Sequence, residues 1–316
     1  MKLIERTFEL SAPEGLGKKP RPELIGPVFT HLHDTLQDAV RMGFLHSSRA
    51  RGRIPACLKA AAEVHFLGHS GDKAGATLLH FEVPSFGSVA GELFEQKFLW
   101  EDGPKPEQTA FELLGAALSD VRKRQKESNR FDRGMLQRVS SYRRILRRGI
   151  SRIGLPDTAL TDAGEIDQLA VDAASELCAA TPSPRRVRVA GRLDLMAAKQ
   201  AVLKLDVKEG VFVTAVWEGV QPVESLKDYF NRDVVIEGAG VFRASGSLLR
   251  IDADAITFAG AQDEFFRQLP AALVAPDYQT LTRLRPGERS PFNRILGSIP
   301  AEESDEEFAA AVEALS

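Results

Sequence analysis

The feature that most constrains this chain is a change of apolar period at Thr181-Pro182-Ser183-Pro184. Before that point apolar residues recur every three or four positions. Phe29, Leu32, Leu36, Val40 and Phe44 form one stripe, Phe111, Leu114, Leu118 and Val121 a second, and Met135, Val139, Tyr142 and Leu146 a third. Such spacing puts each set on one face of a helix, with the first helix opening at Pro27. Between the first and second stripes, residues 62–69 and 76–83 have strand character, and Gly71 and Gly75 suit a hairpin turn between them. Beyond the proline pair the period becomes two. Val187, Val189, Gly191 and Leu193 alternate with Arg186, Arg188 and Arg192; further alternating runs cover 203–207, 211–217, 234–240 and 249–255. A short helical pattern at 222–230 separates the third run from the fourth.

Three strands, a helix and two strands within about 75 residues is the order of a small five-stranded barrel of the OB type. Gly191, Gly238 and Gly240 fall inside the first and fourth of these strands, where a small barrel needs room to coil. A small mixed sheet with one packed helix has the same order of elements. The expected fold class is therefore α+β. A mixed α/β and helical region covers 1–182, an OB-like barrel 183–260, and a Pro-rich, acidic C-terminal tail 261–316. The length of 316 residues accommodates this organisation. No apolar run approaches the roughly 18 residues of a membrane-spanning helix, and residues 1–10 lack the apolar core of a secretory signal. Cys57 and Cys178 are too few for a disulfide framework or a paired-cysteine metal knuckle. A cytoplasmic protein without cofactor or membrane partner is expected.

Glycine-rich phosphate loops, nucleophile elbows and paired-histidine zinc motifs are all absent, which lowers the expectation of an enzyme. The six histidines all lie in the first 80 residues. On a regular hairpin, His65 and His69 would share a face with His80 and Glu82, and three imidazoles with a carboxylate are adequate zinc or iron ligands. The same alternation describes the solvated face of a half-buried hairpin. On the first helix His31, Asp34, Asp38 and Arg41 share one side, which reads as a solvated face carrying an ion pair.

The formal net charge of −3 hides a strong local imbalance. Residues 122–152 carry ten arginines and two lysines against Glu127 and Asp132, a local excess of +10. Arg138, Arg143, Arg144, Arg147 and Arg148 on or beside the third helix are the candidate nucleic-acid contacts, since guanidinium suits bidentate phosphate binding. A solvated face beside acidic neighbours would have the same composition. On the barrel, the outward positions of the second and third strands are Lys204 and Asp206, then Phe212, Thr214 and Val216. One aromatic there is a poor stacking platform for single strands.

After Arg294 no basic residue remains, and six acids follow. Ser304 with Glu307 three residues on is a capping box, predicting a short helix over 305–315 with Phe308 and Val312 on its apolar stripe. The run Phe292-Asn293-Arg294-Ile295-Leu296-Gly297-Ser298-Ile299-Pro300-Ala301-Glu302-Glu303-Ser304-Asp305-Glu306-Glu307-Phe308 resembles the C-terminal segments of bacterial antitoxins encoded beside PIN-domain ribonuclease toxins. It covers about 25 residues, and Ala301-Glu302 stands where those tails commonly have Gly-Asp. The resemblance implies a tail that wraps a toxin and blocks its metal-dependent ribonuclease site, with Arg289 or Arg294 set among the toxin's acids. Partner contacts are then expected at Arg289, Phe292, Arg294, Ile295, Leu296, Phe308 and Val312. The expected function is a non-enzymatic binding or regulatory protein whose tail engages a protein partner. The alternatives are a nucleic-acid-binding protein using 122–152 and a metal-dependent enzyme using the hairpin histidines.

Overall fold

The computed structural model describes residues 3–13, 20–49, 54–71, 75–94, 103–155 and 164–272. Chain contacts divide the molecule into one unit of residues 1–274 and a second of 275–316. The fold is mixed α+β, with two sheets and two hydrophobic cores in the first unit.

The N-terminal half opens with strand β1 (Leu3–Ser11) and helices α1 (Pro22–Leu45) and α2 (Ala56–Ala61). Hairpin β2 (His65–Gly71) and β3 (Thr77–Pro84) follows, then the single turn α3 (Phe86–Val89) and α4 (Ala110–Arg122). Helices α5 (Arg133–Ser141) and α6 (Arg143–Leu146), short strands β4 (Arg152–Gly154) and β5 (Glu165–Asp167), and α7 (Gln168–Ala180) complete it. The strands form an antiparallel sheet in the order β2-β3-β1-β4-β5. Phe8, Leu10, Leu79, Phe81, Val83, Ile153 and Ile166 share one core with the apolar stripes of α1, α4, α5 and α7. Residues between them on β1 and β3, such as Thr7, Glu9, His80 and Glu82, are polar and only partly buried, as a sheet covered on one face requires.

The structure departs from the sequence pattern at three places in this half. Helix α1 starts at Pro22, and Pro27 lies inside it; Pro22 supplies the preset φ at the first position, and the apolar stripe holds the helix despite the hydrogen bond that Pro27 cannot make. The helix expected over 133–148 breaks at Tyr142 into α5 and α6. Leu3–Ser11 is a central strand, although its alternation of charged and apolar residues is period two from the start.

The second half consists of β6 (Arg185–Ala197), β7 (Val202–Lys208), β8 (Val211–Trp217), β9 (Asp233–Phe242) and β10 (Leu248–Phe258). They close in the order β10-β8-β7-β6-β9 around a core that includes Val189, Leu193, Leu205, Ile236, Phe242 and Ile251. All neighbours are antiparallel except β8 and β10, which run parallel. The helical pattern between β8 and β9 is a 3-10 helix, Val223–Tyr229. A further 3-10 helix, Ala261–Arg267, follows β10 and packs on β6, so the first residues assigned by composition to the tail fold onto the barrel.

Polar contacts tie the two cores together within this unit. Arg250 on β10 donates Nη1 to Asp132 Oδ2 at 3.1 Å and Nη2 to Ser47 Oγ at 3.1 Å. Lys199 pairs with Glu92 at 2.7 Å, and Ser247 donates to Glu127 at 2.7 Å. Among the described residues no helix is long and apolar enough to cross a membrane.

Candidate functional site

The hairpin histidines do not converge. His65 faces Glu82 as expected, but a bulge after Phe66 puts Gly68 opposite His80 and His69 opposite Leu79. One extra residue in a strand flips the faces beyond it, so His69 leaves the side that carries His80 and Glu82. His80 instead meets hydroxyls, with Thr7 Oγ1 at 3.2 Å from Nδ1 and Ser70 Oγ at 3.0 Å from Nε2. Among the described residues no group of three or more His, Cys, Asp and Glu side chains is placed to hold a metal. The set His65, His69, His80 and Glu82 expected to share a face on a regular hairpin is therefore not assembled.

The polar side of α1 is not a solvated face either. Arg138 reaches across from α5, donating Nε to Asp38 Oδ2 and Nη1 to Asp34 Oδ2, both at 3.0 Å. Asp38 is buried; burial pushes its carboxyl pKa up against the opposing pull of Arg138. Beside them the buried Tyr142 hydroxyl and Thr35 Oγ1 lie 3.0 Å apart. The spacing of His31, Asp34 and Asp38 was legible in sequence, but the covering helix was not.

The basic segment is largely answered by the chain itself. Arg143 pairs with Asp172 at 2.8 Å, Arg124 with Glu176 at 2.6 Å and Arg130 with Asp120 at 2.8 Å. Arg122 pairs with Glu165 and Asp167, and Arg152 with Glu9 and Glu165. Of the five candidate contacts, Arg138 and Arg143 are thus engaged. Arg144, Arg147 and Arg148 are exposed and form no ion pair among the described residues. The tail candidates Arg289, Phe292, Arg294, Ile295, Leu296, Phe308 and Val312, and the helix expected over 305–315, lie outside the described residues.

A surface that the periodicity did not single out lies at one end of the barrel. Tyr229, at the end of the 3-10 helix, and Phe258, at the end of β10, stack at 4.6 Å between centroids. Ala259, next to Phe258, donates its N–H to the carbonyl of Asp233, whose carboxylate takes Arg267 at 2.9 Å. Arg267 ends the turn that carries Phe265 and Phe266. Asp233 is thus bound both by the residue after Phe258 and by the last residue of the turn carrying Phe265 and Phe266. Phe258 is 58% exposed, Phe265 73% and Phe230 50%. Arg188 lies over the Phe266 ring at 5.8 Å and pairs with Glu237 at 2.8 Å, and Arg186 pairs with Glu237 and Asp254. The result is an aromatic patch bordered by arginines. The doublets Tyr229-Phe230 and Phe265-Phe266 were its sequence signal, sitting where alternation ends, with Tyr229 packed against the barrel core and Phe230 and Phe265 left exposed.

On the barrel's β7–β8 face, Lys204, Phe212 and Thr214 line a cleft against the helical half, whereas Asp206 and Val216 do not. His46, which ends α1 in the left-handed region at φ 53°, lines the same cleft. Burial, and then the charges of Lys204 and Arg250, lower its pKa to about 4. His46 is therefore neutral at pH 7. Because its folded pKa lies below the ordinary 6.5, protons bind the unfolded chain first, and stability falls as pH drops from 6.5 towards 4. Proton NMR of the imidazole is expected to give a midpoint near 4; a midpoint at 6 or above contradicts this placement.

No family model matches the chain, and neither the curated proteins nor the solved structures give a match.

Proposed function

We propose that this chain is a non-enzymatic binding protein that engages a protein partner through the exposed aromatic patch and the C-terminal segment that follows it in sequence. The single observation that carries the reading is the exposure of Phe230, Phe258 and Phe265 beside the Tyr229–Phe258 stack and the Asp233–Arg267 pair, since exposed apolar surface beyond singly scattered residues marks interaction sites. Aromatic and arginine side chains are the residues that dominate protein interfaces. We read the barrel itself as OB-like: a closed five-stranded sheet with parallel β8 and β10 and a 3-10 helix between β8 and β9 supports this.

The partner that fits best is a ribonuclease toxin of the PIN type, an inference that rests on the likeness of 292–308 to antitoxin tails. A metal-dependent ribonuclease carries an acidic site, and the charge of Arg289 and Arg294 complements it. The full chain is expected to co-purify with the product of its neighbouring gene and to suppress that product's ribonuclease activity. Truncation before Arg289 is expected to abolish both effects. Unchanged binding and suppression by the truncated chain would remove the tail from the account.

A second reading is nucleic-acid binding by Arg144, Arg147 and Arg148, favoured by their exposure without ion pairs among the described residues. It predicts weak binding of single or double strands that falls steeply with salt as counterions are released. Replacing the three arginines by Ala should abolish a gel shift, and an unaltered shift would reject the reading.

A further inference from the structure

The cleft between the barrel and the helical half has a volume of about 780 Å³. That lies within the roughly 300–1,000 Å³ of ligand sites for small molecules. Its charge is one-sided. Lys105, Arg130, Lys204 and Arg243 line it, and among the described lining residues Asp120 is the one carboxylate. Asp120 is already committed, accepting from Ser128 Oγ at 2.7 Å and Arg130 Nη1 at 2.8 Å.

Arg243 is the most telling member. Its Nε donates to Asn129 Oδ1 at 3.0 Å, and its Nη1 to Ser247 Oγ at 3.1 Å and to the Leu248 carbonyl. All of these acceptors are neutral, and among the described residues no carboxylate lies within ion-pair distance. Burial lowers its pKa, with the Glu127 charge opposing. A half-buried cation whose direct acceptors are neutral, with Glu127 reached only through Ser247, has its charge only partly compensated, so an incoming anion gains more there than at an exposed arginine. The same cleft presents the flat ring of Phe212 and the amides of Gln108 and Asn129. A cationic wall with one ring and two amides matches a phosphate joined to a flat, hydrogen-bonding base; an acidic peptide would leave the ring unused.

We propose that this cleft binds a nucleotide, with Arg243, Lys204 and Lys105 on the phosphate oxygens and Phe212 against the base. The site is separate from the aromatic patch, and its test does not depend on a protein partner.

The test is isothermal titration of the full chain with adenosine 5′-monophosphate, inorganic phosphate, a 5′-phosphorylated single-stranded 12-mer and a glutamate-rich peptide. The nucleotide is expected to bind more tightly than phosphate. Arg243→Gln and, as an independent variant, Lys204→Gln should each weaken it about tenfold or more, the loss of a hydrogen bond to a charged group. Phe212→Leu should weaken the nucleotide and leave phosphate unchanged, whereas Arg188→Gln at the aromatic patch should change neither. Bound phosphate should also raise the midpoint of the His46 titration. A 12-mer that binds no better than the mononucleotide assigns the site to free nucleotides; tighter, salt-dependent binding assigns it to strand ends. No nucleotide binding at millimolar concentration overturns the proposal. So does equal affinity for phosphate and nucleotide, or binding of the acidic peptide alone.

Discussion

Replacing Arg250 by Met is expected to lower the unfolding free energy by about 3–5 kcal/mol, the cost of leaving a buried charge without its partner. The Arg250 side chain is 7% exposed and that of Asp132 5%. Arg250 spends Nε on Asp252 at 2.7 Å, Nη1 on Asp132 and Nη2 on Ser47, so one guanidinium joins the barrel to two segments of the helical half. Asp132 has its own second task. Its carboxylate accepts from Ser48 Oγ at 2.5 Å and from the Met135 N–H at 3.0 Å, capping α5. Burial alone would raise its pKa, but the Arg250 charge and these hydrogen bonds outweigh it and hold the carboxyl below its ordinary value. A depressed carboxylate contributes stability that is present above its unfolded pKa of 3.8 and is lost as pH falls through the folded value. Urea unfolding should therefore give a smaller loss for the double variant Arg250→Met/Asp132→Asn than for the two single variants added together. Additive losses would mean that the two side chains do not act as a pair.

Gly238→Ala is expected to cost about 3 kcal/mol, at the upper end of overpacking penalties. A Cβ there would fall on the carbonyl oxygen of Asp252 and press on the backbone of Ala253, on the adjacent strand. Backbone cannot step aside as a side-chain tip can, so β9 and β10 would have to separate. Gly210→Ala is the control. Gly210 turns between β7 and β8 at φ 81° with open space around it, so only the left-handed conformation is penalised, by about 1–2 kcal/mol. Thermal unfolding should rank Gly238→Ala well below Gly210→Ala. The reverse order would contradict the close approach of β9 and β10.

Gly191 and Gly238 were legible in sequence as glycines at inward positions of alternating strands, and in the structure a Cβ at either would meet the backbone of the neighbouring strand. The barrel strands were legible because a core enclosed by a closed sheet writes a strict period of two into each of them. What the sequence could not carry was any feature set by contact between distant segments. Asp34 and Asp38 read as surface because Arg138, a hundred residues away, is what covers them. Whether the hairpin histidines share one face could not be read, because a bulge leaves no mark in alternation. The net +10 of residues 122–152 left a binding face and a solvated face beside acidic neighbours undistinguished, because the acidic partners, such as Glu165, Asp172 and Glu176, lie outside that window. The aromatic patch depends on three separate chain segments meeting at one barrel end, and only its residue doublets were visible beforehand.

The central claim, that the barrel end is a partner-binding surface, is tested most directly by titration calorimetry of the neighbouring gene's product against the full chain and its Phe258→Ser/Phe265→Ser variant. Both residues are exposed, so the variant should keep the unfolding midpoint of the parent. Binding is expected to weaken by about a hundredfold or more, as loss of two aromatic anchors at an interface centre produces. Equal affinity of the variant and the parent would contradict the account.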